Sequence, residues 1–139
     1  MISFNYESDF KLQDELKISS WISSIINNEN CKEDEINYVF CDDDYLHKLN
    51  FEFLQHDTLT DIISFDYSVG NKLQGDIFIS VERVADNAKD FNVDFETELH
   101  RVIIHGILHY CGYKDKTESD AKTMRIKENE ALKILHNML

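Results

Sequence analysis

The sequence contains no proline and only four glycines among its 139 residues. It also lacks internal repeats, low-complexity tracts and the glycine- and serine-rich linkers that separate domains. A chain of this length can bury a sizeable core without disulfides or other staples. We therefore predict a single domain that spans residues 1–139.

The sequence also has few cysteines and no segment typical of a membrane span or a secretory leader. The three cysteines, Cys31, Cys41 and Cys111, are odd in number and widely spaced, as is typical of reduced thiols in a cytosol. Mean hydropathy is −0.41, and no long uncharged apolar run occurs. The first residues carry an early acidic charge and no basic segment, so no secretory leader is expected. These features predict a soluble cytoplasmic protein without a membrane partner.

Basic residues are about half as numerous as acidic ones. Fourteen lysines and arginines stand against 27 aspartates and glutamates, which gives a net charge of −13. Lysine and arginine supply much of the affinity of proteins for nucleic acid, so this surface as a whole is expected to repel RNA. A role in binding RNA would require a metal ion or a few local cations at the site, or a protein partner that delivers the RNA.

The periodicity of apolar residues predicts a mixture of strands and helices. Alternating patterns and short apolar runs predict strands over residues 2–6, 35–41, 60–67 and 75–81. Helical spacing predicts helices over residues 11–27, 45–54, 82–91, 94–111 and 121–135. The last two strands are expected to form a hairpin. The order predicts the α+β class, with one mixed sheet of about four strands and helices packed on it.

Two of these helices have apolar faces that we expect to be buried. The first helix, with Asp9 as its cap, includes Leu12 and Leu16 in its apolar stripe. The last helix follows a capping box that begins at Thr117. Its predicted apolar face comprises Met124, Ile126, Ala131, Leu132, Ile134 and Leu135. We expect this last helix to support the candidate site from behind.

His105 and His109 stand four residues apart in an apolar helix that ends at Gly112. Residues at i and i+4 share one helix face, so both imidazoles are expected on the same side. Glycine past the helix end lets the chain turn and bring Asp115 back toward the two rings. Two neutral imidazoles and one carboxylate, with further positions left to water, form the ligand set of a catalytic zinc site. The same set also suits ferrous iron.

A purely structural interpretation of these residues is open as well. Paired histidines can hydrogen-bond inside a core, and Asp115 can serve as the cap of the next helix. The usual zinc-peptidase arrangement is disfavoured, because its general base follows the first histidine in His-Glu-x-x-His and that position here is Gly106. We expect Asp76, in the fourth predicted strand, to hydrogen-bond its neighbours rather than to act as a base.

The stretch from His105 to Asp115 resembles the signature of the YbeY family, His-Gly-x-Leu-His-x-x-Gly-Tyr-Asp-His. The matching positions are His105, Gly106, Leu108, His109, Gly112 and Tyr113. Upstream, Leu49–Asn50, Thr60–Phe65 and Gly75–Ser80 are similar to the family's Leu-Asn, Thr-Asp-Val-Leu-Ser-Phe and Gly-Asp-Ile-x-Ile-Ser segments. These blocks occur in the family's order.

The resemblance implies a bacterial metal-dependent endoribonuclease that acts on single-stranded RNA in ribosomal RNA maturation and ribosome quality control. Its candidate partners are ribosomal proteins or precursors of the small subunit. The resemblance further implies that His105, His109 and Asp115 hold one zinc ion, with Asp115 in the place of the family's third histidine. The two histidines would be catalytic through this metal, which polarises a phosphoryl oxygen or activates a water.

The chain departs from the family pattern at two further positions. Lys114 replaces an aspartate, and Leu54 replaces an arginine that is thought to hold the RNA phosphate. A guanidinium group is a natural partner of phosphate, so we expect His56, Lys114 or Arg101 to substitute for it. Two other functions stay open: a non-catalytic ribosome-assembly factor with a structural metal, and a metal-dependent hydrolase of another substrate class.

Overall fold

The computed structural model describes residues 1–54 and 60–138. These residues form β1 (Ile2–Tyr6), α1 (Glu15–Asn28), β2 (Lys32–Cys41), α2 (Asp43–Leu54), β3 (Ile62–Asp66), β4 (Lys72–Ser80), α3 (Val81–Asp90), α4 (Phe95–Tyr110) and α5 (Glu118–His136). The order and type of these elements follow the sequence prediction, while several bounds shift by a few residues. Among the described helices, none combines the length and apolarity needed to cross a bilayer.

The four strands form one mixed sheet in the order β1-β2-β4-β3. Both β1 and β4 run parallel to β2, which lies between them. β3 pairs antiparallel with β4 through a hairpin and forms an edge of the sheet. The predicted α+β class, with a mixed sheet and packed helices, is confirmed.

The sheet has a large core on one face and a small cluster on the other. Successive side chains of a strand point to opposite faces, so Ile77 and Ile79 of β4 are buried in the same core as Trp21 of α1 and Ile103 of α4. On the opposite face, Leu46 of α2 packs in a separate cluster with Cys41 and Ile63. α4 lies between α3 and α5 and packs across β3 and β4.

A close contact fixes the end of α4 against the hairpin. The Tyr110 hydroxyl donates to the carbonyl oxygen of Phe65 at 2.9 Å and lies 3.3 Å from that of Asp76. A glycine is needed beneath the ring, because a Cβ at Gly75 would lie 2.3 Å from both the Tyr110 hydroxyl and the Phe65 oxygen. The carboxyl end of α4 is thereby held beside the edge strand β3.

The predicted faces of two helices are partly wrong. α1 begins at Glu15, so Asp9 is not its cap, and Leu16 is 87% exposed. In α5, Ile126 is 57% and Ile134 is 37% exposed. The reason is the same in all three cases, because each side chain lies two residues from a buried position, Ile18, Met124 or Leu132, and two residues turn a helix by about 200°.

Candidate metal centre

α4 and the bend after it bring the three predicted ligands together. His105 and His109 have ring centroids 4.5 Å apart. The Nε2 atoms of both rings lie 3.3 Å from the same oxygen, Oδ2 of Asp115. One ligand atom from each of the three residues lies within 4.8 Å of the others. This convergence is the one that the spacing and the glycine turn predict.

The bend itself is built by Gly112. Its φ of +108° lies in the left-handed region that side chains with a Cβ rarely adopt. The Gly112 amide donates to the His109 carbonyl at 3.0 Å, and the Tyr113 amide donates to the Leu108 carbonyl at 3.0 Å. This pair of bonds is the Schellman pattern, which ends a helix and reverses the chain. Asp115 returns to the histidines for this reason.

Each imidazole is also held at its other nitrogen. Nδ1 of His105 lies 2.7 Å from Oε2 of Glu128, and Nδ1 of His109 lies 2.9 Å from the carbonyl oxygen of Tyr113. Carbonyl and carboxylate oxygens accept hydrogen bonds, so each ring, in the neutral form that binds a metal, carries its hydrogen on Nδ1. The lone pairs on Nε2 therefore face Asp115, which is the orientation that metal-binding histidines need.

Glu128 reaches the centre from α5 and is only 4% exposed. Arg101 Nη1 lies 3.1 Å and Arg125 Nη1 3.7 Å from its Oε1 atom. Burial alone would raise the pKa of Glu128, but hydrogen bonds from His105 and Arg101 outweigh burial and lower it. Burial likewise opposes a charged His105, whereas Glu128 and Asp115 raise the pKa of its ring. Glu128 is thus a carboxylate that fixes a candidate ligand.

The sequence prediction missed Glu128. The sequence does contain a signal for this residue, which is its position. Glu128 lies four residues after Met124 and three before Ala131, within the buried stripe of α5. A charged residue at a buried helical position requires a partner, and here the partners are Arg101 and His105.

An open cleft of about 720 Å³ lies beside the centre along β3. Its lining consists of Asn50, Leu54, Thr60, Ile62, Ile63, Ser64, Asp66, His109, Tyr110, Asp115 and Lys116. A second cavity of about 300 Å³ adjoins the centre at His105 and Asp115. Asp61 lines this second cavity, and burial raises the pKa of its carboxyl group. The candidate ligands therefore have access to solvent on the cleft side.

The predicted RNA-binding side chains lie in different places. Arg101 lines the second cavity, with its guanidinium group paired to Glu128. Lys114 is exposed and lines neither of these cavities among the described residues, whereas Lys116 lines the cleft. His56 lies outside the described residues.

Gly106 and Asp76 have structural surroundings. A Cβ at Gly106 would lie 3.1 Å from Cδ1 of Ile77 and 3.2 Å from Cδ1 of Ile62, so a side chain at this position would face the sheet and would have to displace these isoleucines. Asp76 accepts a hydrogen bond from Nδ2 of Asn37 at 3.1 Å across the sheet. This bond joins neighbouring strands, as the structural interpretation of Asp76 predicts.

The donor set of the centre fits a divalent transition metal. Two Nε2 lone pairs and one carboxylate oxygen converge, both rings are oriented by second partners, and the cleft leaves coordination positions open to solvent. The sequence model of the family described as Endoribonuclease YbeY matches residues 3–136. The chain belongs to the YbeY family.

Individual proteins agree with this membership. Endoribonuclease YbeY of Flavobacterium johnsoniae is 64% identical over 136 residues, which cover 98% of this chain and 98% of the relative. Endoribonuclease YbeY of Flavobacterium psychrophilum is 60% identical over 136 residues, which cover 98% of this chain and 97% of the relative. The solution structure of TM1509 from Thermotoga maritima aligns with a TM-score of 0.68 and 26% identity, over 97% of this chain and 89% of that one.

The candidate ligand set departs from the YbeY signature at one position. Asp115 occupies the position of the third histidine in that signature. Its shorter side chain still lies 3.3 Å from the Nε2 atoms of His105 and His109, because the turn at Gly112 carries it to them.

Proposed function

We propose that the protein is a zinc-dependent endoribonuclease that cleaves single-stranded RNA in ribosomal RNA maturation and ribosome quality control. Membership of the YbeY family, with relatives at 64% and 60% identity that are named endoribonucleases, supports cleavage of RNA. The convergence of His105, His109 and Asp115 on one point is the observation that supports metal-dependent chemistry.

His105, His109 and Asp115 would hold the zinc ion, one per chain. A bound zinc ion supplies Lewis acidity toward a phosphoryl oxygen and toward water. The protein's own contribution is orientation: Glu128 and the Tyr113 carbonyl hold the two rings with Nε2 facing inward. Asp115 adds a negative charge that a third histidine would lack. We therefore expect weaker activation of water than in a three-histidine site.

The open cleft along β3 supports a single strand as the substrate, since it lies against His109 and Asp115 and has neutral side chains such as Thr60 and Ser64 in its walls. The net charge of −13 favours delivery of the RNA by a partner. Basic ribosomal proteins in precursors of the small subunit, in the cytoplasm, are the partners that we propose.

Cleavage of a labelled single-stranded RNA by zinc-loaded protein tests the proposed activity. We expect His109→Ala to lose more than about 100-fold in rate, because even partners behind a metal ligand change affinity or activity 10- to 100-fold. His136→Ala, in the exposed last turn of α5, is the matched control and should cleave normally. Equal cleavage by His109→Ala and the unmodified protein would contradict the proposal, and RNA binding without cleavage would favour the assembly-factor function.

Elemental analysis tests the metal separately from the activity. Protein purified without added metal should contain about one equivalent of zinc, and His105→Ala should contain almost none, because a ligand is lost. A protein that takes up no metal under any loading condition would return both histidines to a structural role.

A further inference from the structure

We propose that Lys116 binds a backbone phosphate of the RNA in the cleft beside the candidate metal centre. This inference rests on the proposed function and adds a substrate contact to it. It gives the role of phosphate-binding cation to a residue other than His56, Lys114 or Arg101.

The composition of the cleft is the first argument. Among the described residues that line it, Lys116 is the only lysine or arginine, whereas Asp66 and Asp115 contribute two carboxylates. The whole chain carries a net charge of −13, so the long-range field also opposes a polyanion. A phosphodiester that enters this cleft needs a local positive charge, and Lys116 supplies it.

The availability of the charge is the second argument. The two arginines that line the second cavity are already paired, with Arg101 Nη1 3.1 Å and Arg125 Nη1 3.7 Å from the carboxylate of Glu128. Both arginines line the second cavity and neither lines the cleft. Lys116, in contrast, has no ion-pair partner within the described part of the chain. No acidic side chain among residues 1–54 and 60–138 therefore competes with a ligand for its ammonium group.

The position of Lys116 is the third argument. It directly follows Asp115, a candidate metal ligand, so a phosphate at its ammonium group would lie near the reacting centre. A lysine is a mobile point charge that binds phosphate without a fixed fork geometry, which suits an exposed cleft wall. Leu54, which lines the same cleft and is 43% exposed, provides no charge of its own.

Kinetic and binding measurements on Lys116→Ala, with zinc content as a control, test the proposal. Initial rates of the zinc-loaded variant should show KM raised by about fivefold at low salt with kcat unchanged, the size of one solvated ion pair. Fluorescence anisotropy of chelator-treated protein with the same RNA should show Kd raised by a similar factor. The slope of log affinity against log salt should fall by about 0.7, the value for one phosphate contact to a single strand. Zinc content should not change.

Lys122→Ala and Lys133→Ala are matched controls that remove the same charge from exposed positions lining neither of the two cavities. Both should leave KM and Kd within about twofold, which is small beside the fivefold change expected at Lys116, and both should leave the salt slope unchanged. An equal effect of all three variants would mean that net charge alone sets the affinity, and it would overturn the proposal. An unchanged salt slope in Lys116→Ala would do the same.

A relocated charge completes the test. Leu54→Arg in the Lys116→Ala background places a cation back in the cleft from another wall, and it should restore most of the lost affinity. A double variant that binds no better than Lys116→Ala would place the phosphate elsewhere and overturn the proposal. Because anisotropy requires no turnover, a protein that binds RNA through Lys116 but cuts none would contradict only the proposed function.

Discussion

At the scale of single residues, Glu128 is one of two glutamates that are buried among the described residues. A buried carboxylate is costly unless it is paired and hydrogen-bonded. Glu128 meets this condition by accepting from Arg101 on one oxygen and from Nδ1 of His105 on the other. The pairing keeps the carboxylate ionised and ties the orientation of a candidate ligand to the packing of α5 against α4.

We predict that Glu128→Gln lowers the affinity for zinc by about 10- to 100-fold, because an amide orients and polarises the His105 ring less strongly. Competition with a chromophoric chelator measures this affinity directly, without an RNA substrate. Glu130→Gln is the control. Glu130 lies on the same helix, and its carboxylate is 3.7 Å from Nζ of Lys127 and contacts none of the candidate ligands. A Glu128→Gln protein that binds zinc as tightly as the unmodified chain would remove the positioning role.

The residues of the centre differ in how far sequence could predict them. His105, His109 and Asp115 follow from local rules, because helix periodicity and one left-handed glycine suffice to bring them together. Glu128 depends on how two helices pack, and no local pattern fixes which residue of α5 faces His105. Lys116 was missed for a related reason: its place in the cleft depends on the path of the chain after the turn.

At the scale of elements, the contact between α4 and the β3–β4 hairpin sets the position of the cleft. The Tyr110 hydroxyl reaches across Gly75 to the backbone of β3, and the space beneath the ring holds no additional atom. A bulkier residue in β4 would push α4 away from the edge strand, so the geometry of the centre depends on a glycine in another element.

We predict that Gly75→Ala destabilises the fold by about 1–3 kcal/mol, the usual cost of overpacking a core. The reason is that the added methyl would lie 2.3 Å from the Phe65 oxygen and the Tyr110 hydroxyl, and the former is rigid backbone. Urea unfolding measures the change. Gln74→Ala, at the half-buried neighbouring position, should shift stability by less than about 0.5 kcal/mol. Equal stabilities of Gly75→Ala and the unmodified protein would show that the contact relaxes without cost.

The elements themselves were largely predictable, because apolar periodicity reports directly on burial. The pattern gave β1 its observed bounds, Ile2–Tyr6, and placed the hairpin and the helix of the centre. It failed where a single apolar residue falls outside the stripe, as with Leu16, Ile126 and Ile134. Periodicity describes a helix as a whole. Whether an individual leucine or isoleucine is buried depends on its own angle around the helix axis relative to the apolar stripe.

At the scale of the whole molecule, protonation of His100 links the stability of the fold to pH. His100 of α4 lies in a small pocket that α1 and α5 complete, with Lys17 and Glu96 in its lining. Burial lowers the pKa of the His100 ring to about 4, and the charges of His136 and Lys17 add to this effect. The half-exposed carboxylate of Glu96, 3.5 Å from Nε2, does not offset burial.

The sign of the resulting pH dependence follows from linkage. Between the ordinary histidine pKa of 6.5 and the folded value of about 4, the unfolded chain binds a proton at His100 that the native chain does not. Stability should therefore fall on acidification, by about 2 kcal/mol between pH 7 and pH 5. His100→Gln cannot take up this proton, so its loss of stability over the same range should be smaller by about that amount.

Urea unfolding of both chelator-treated proteins near pH 7 and pH 5 measures this difference. His105, whose pKa is raised, has the opposite sign: its contribution is present at low pH and lost as pH rises through the folded pKa. It is common to both proteins and cancels in the comparison. If His100→Gln and the unmodified protein lost stability in parallel, the ring would not be held neutral, and the acid sensitivity of the fold would have to come from its carboxylates.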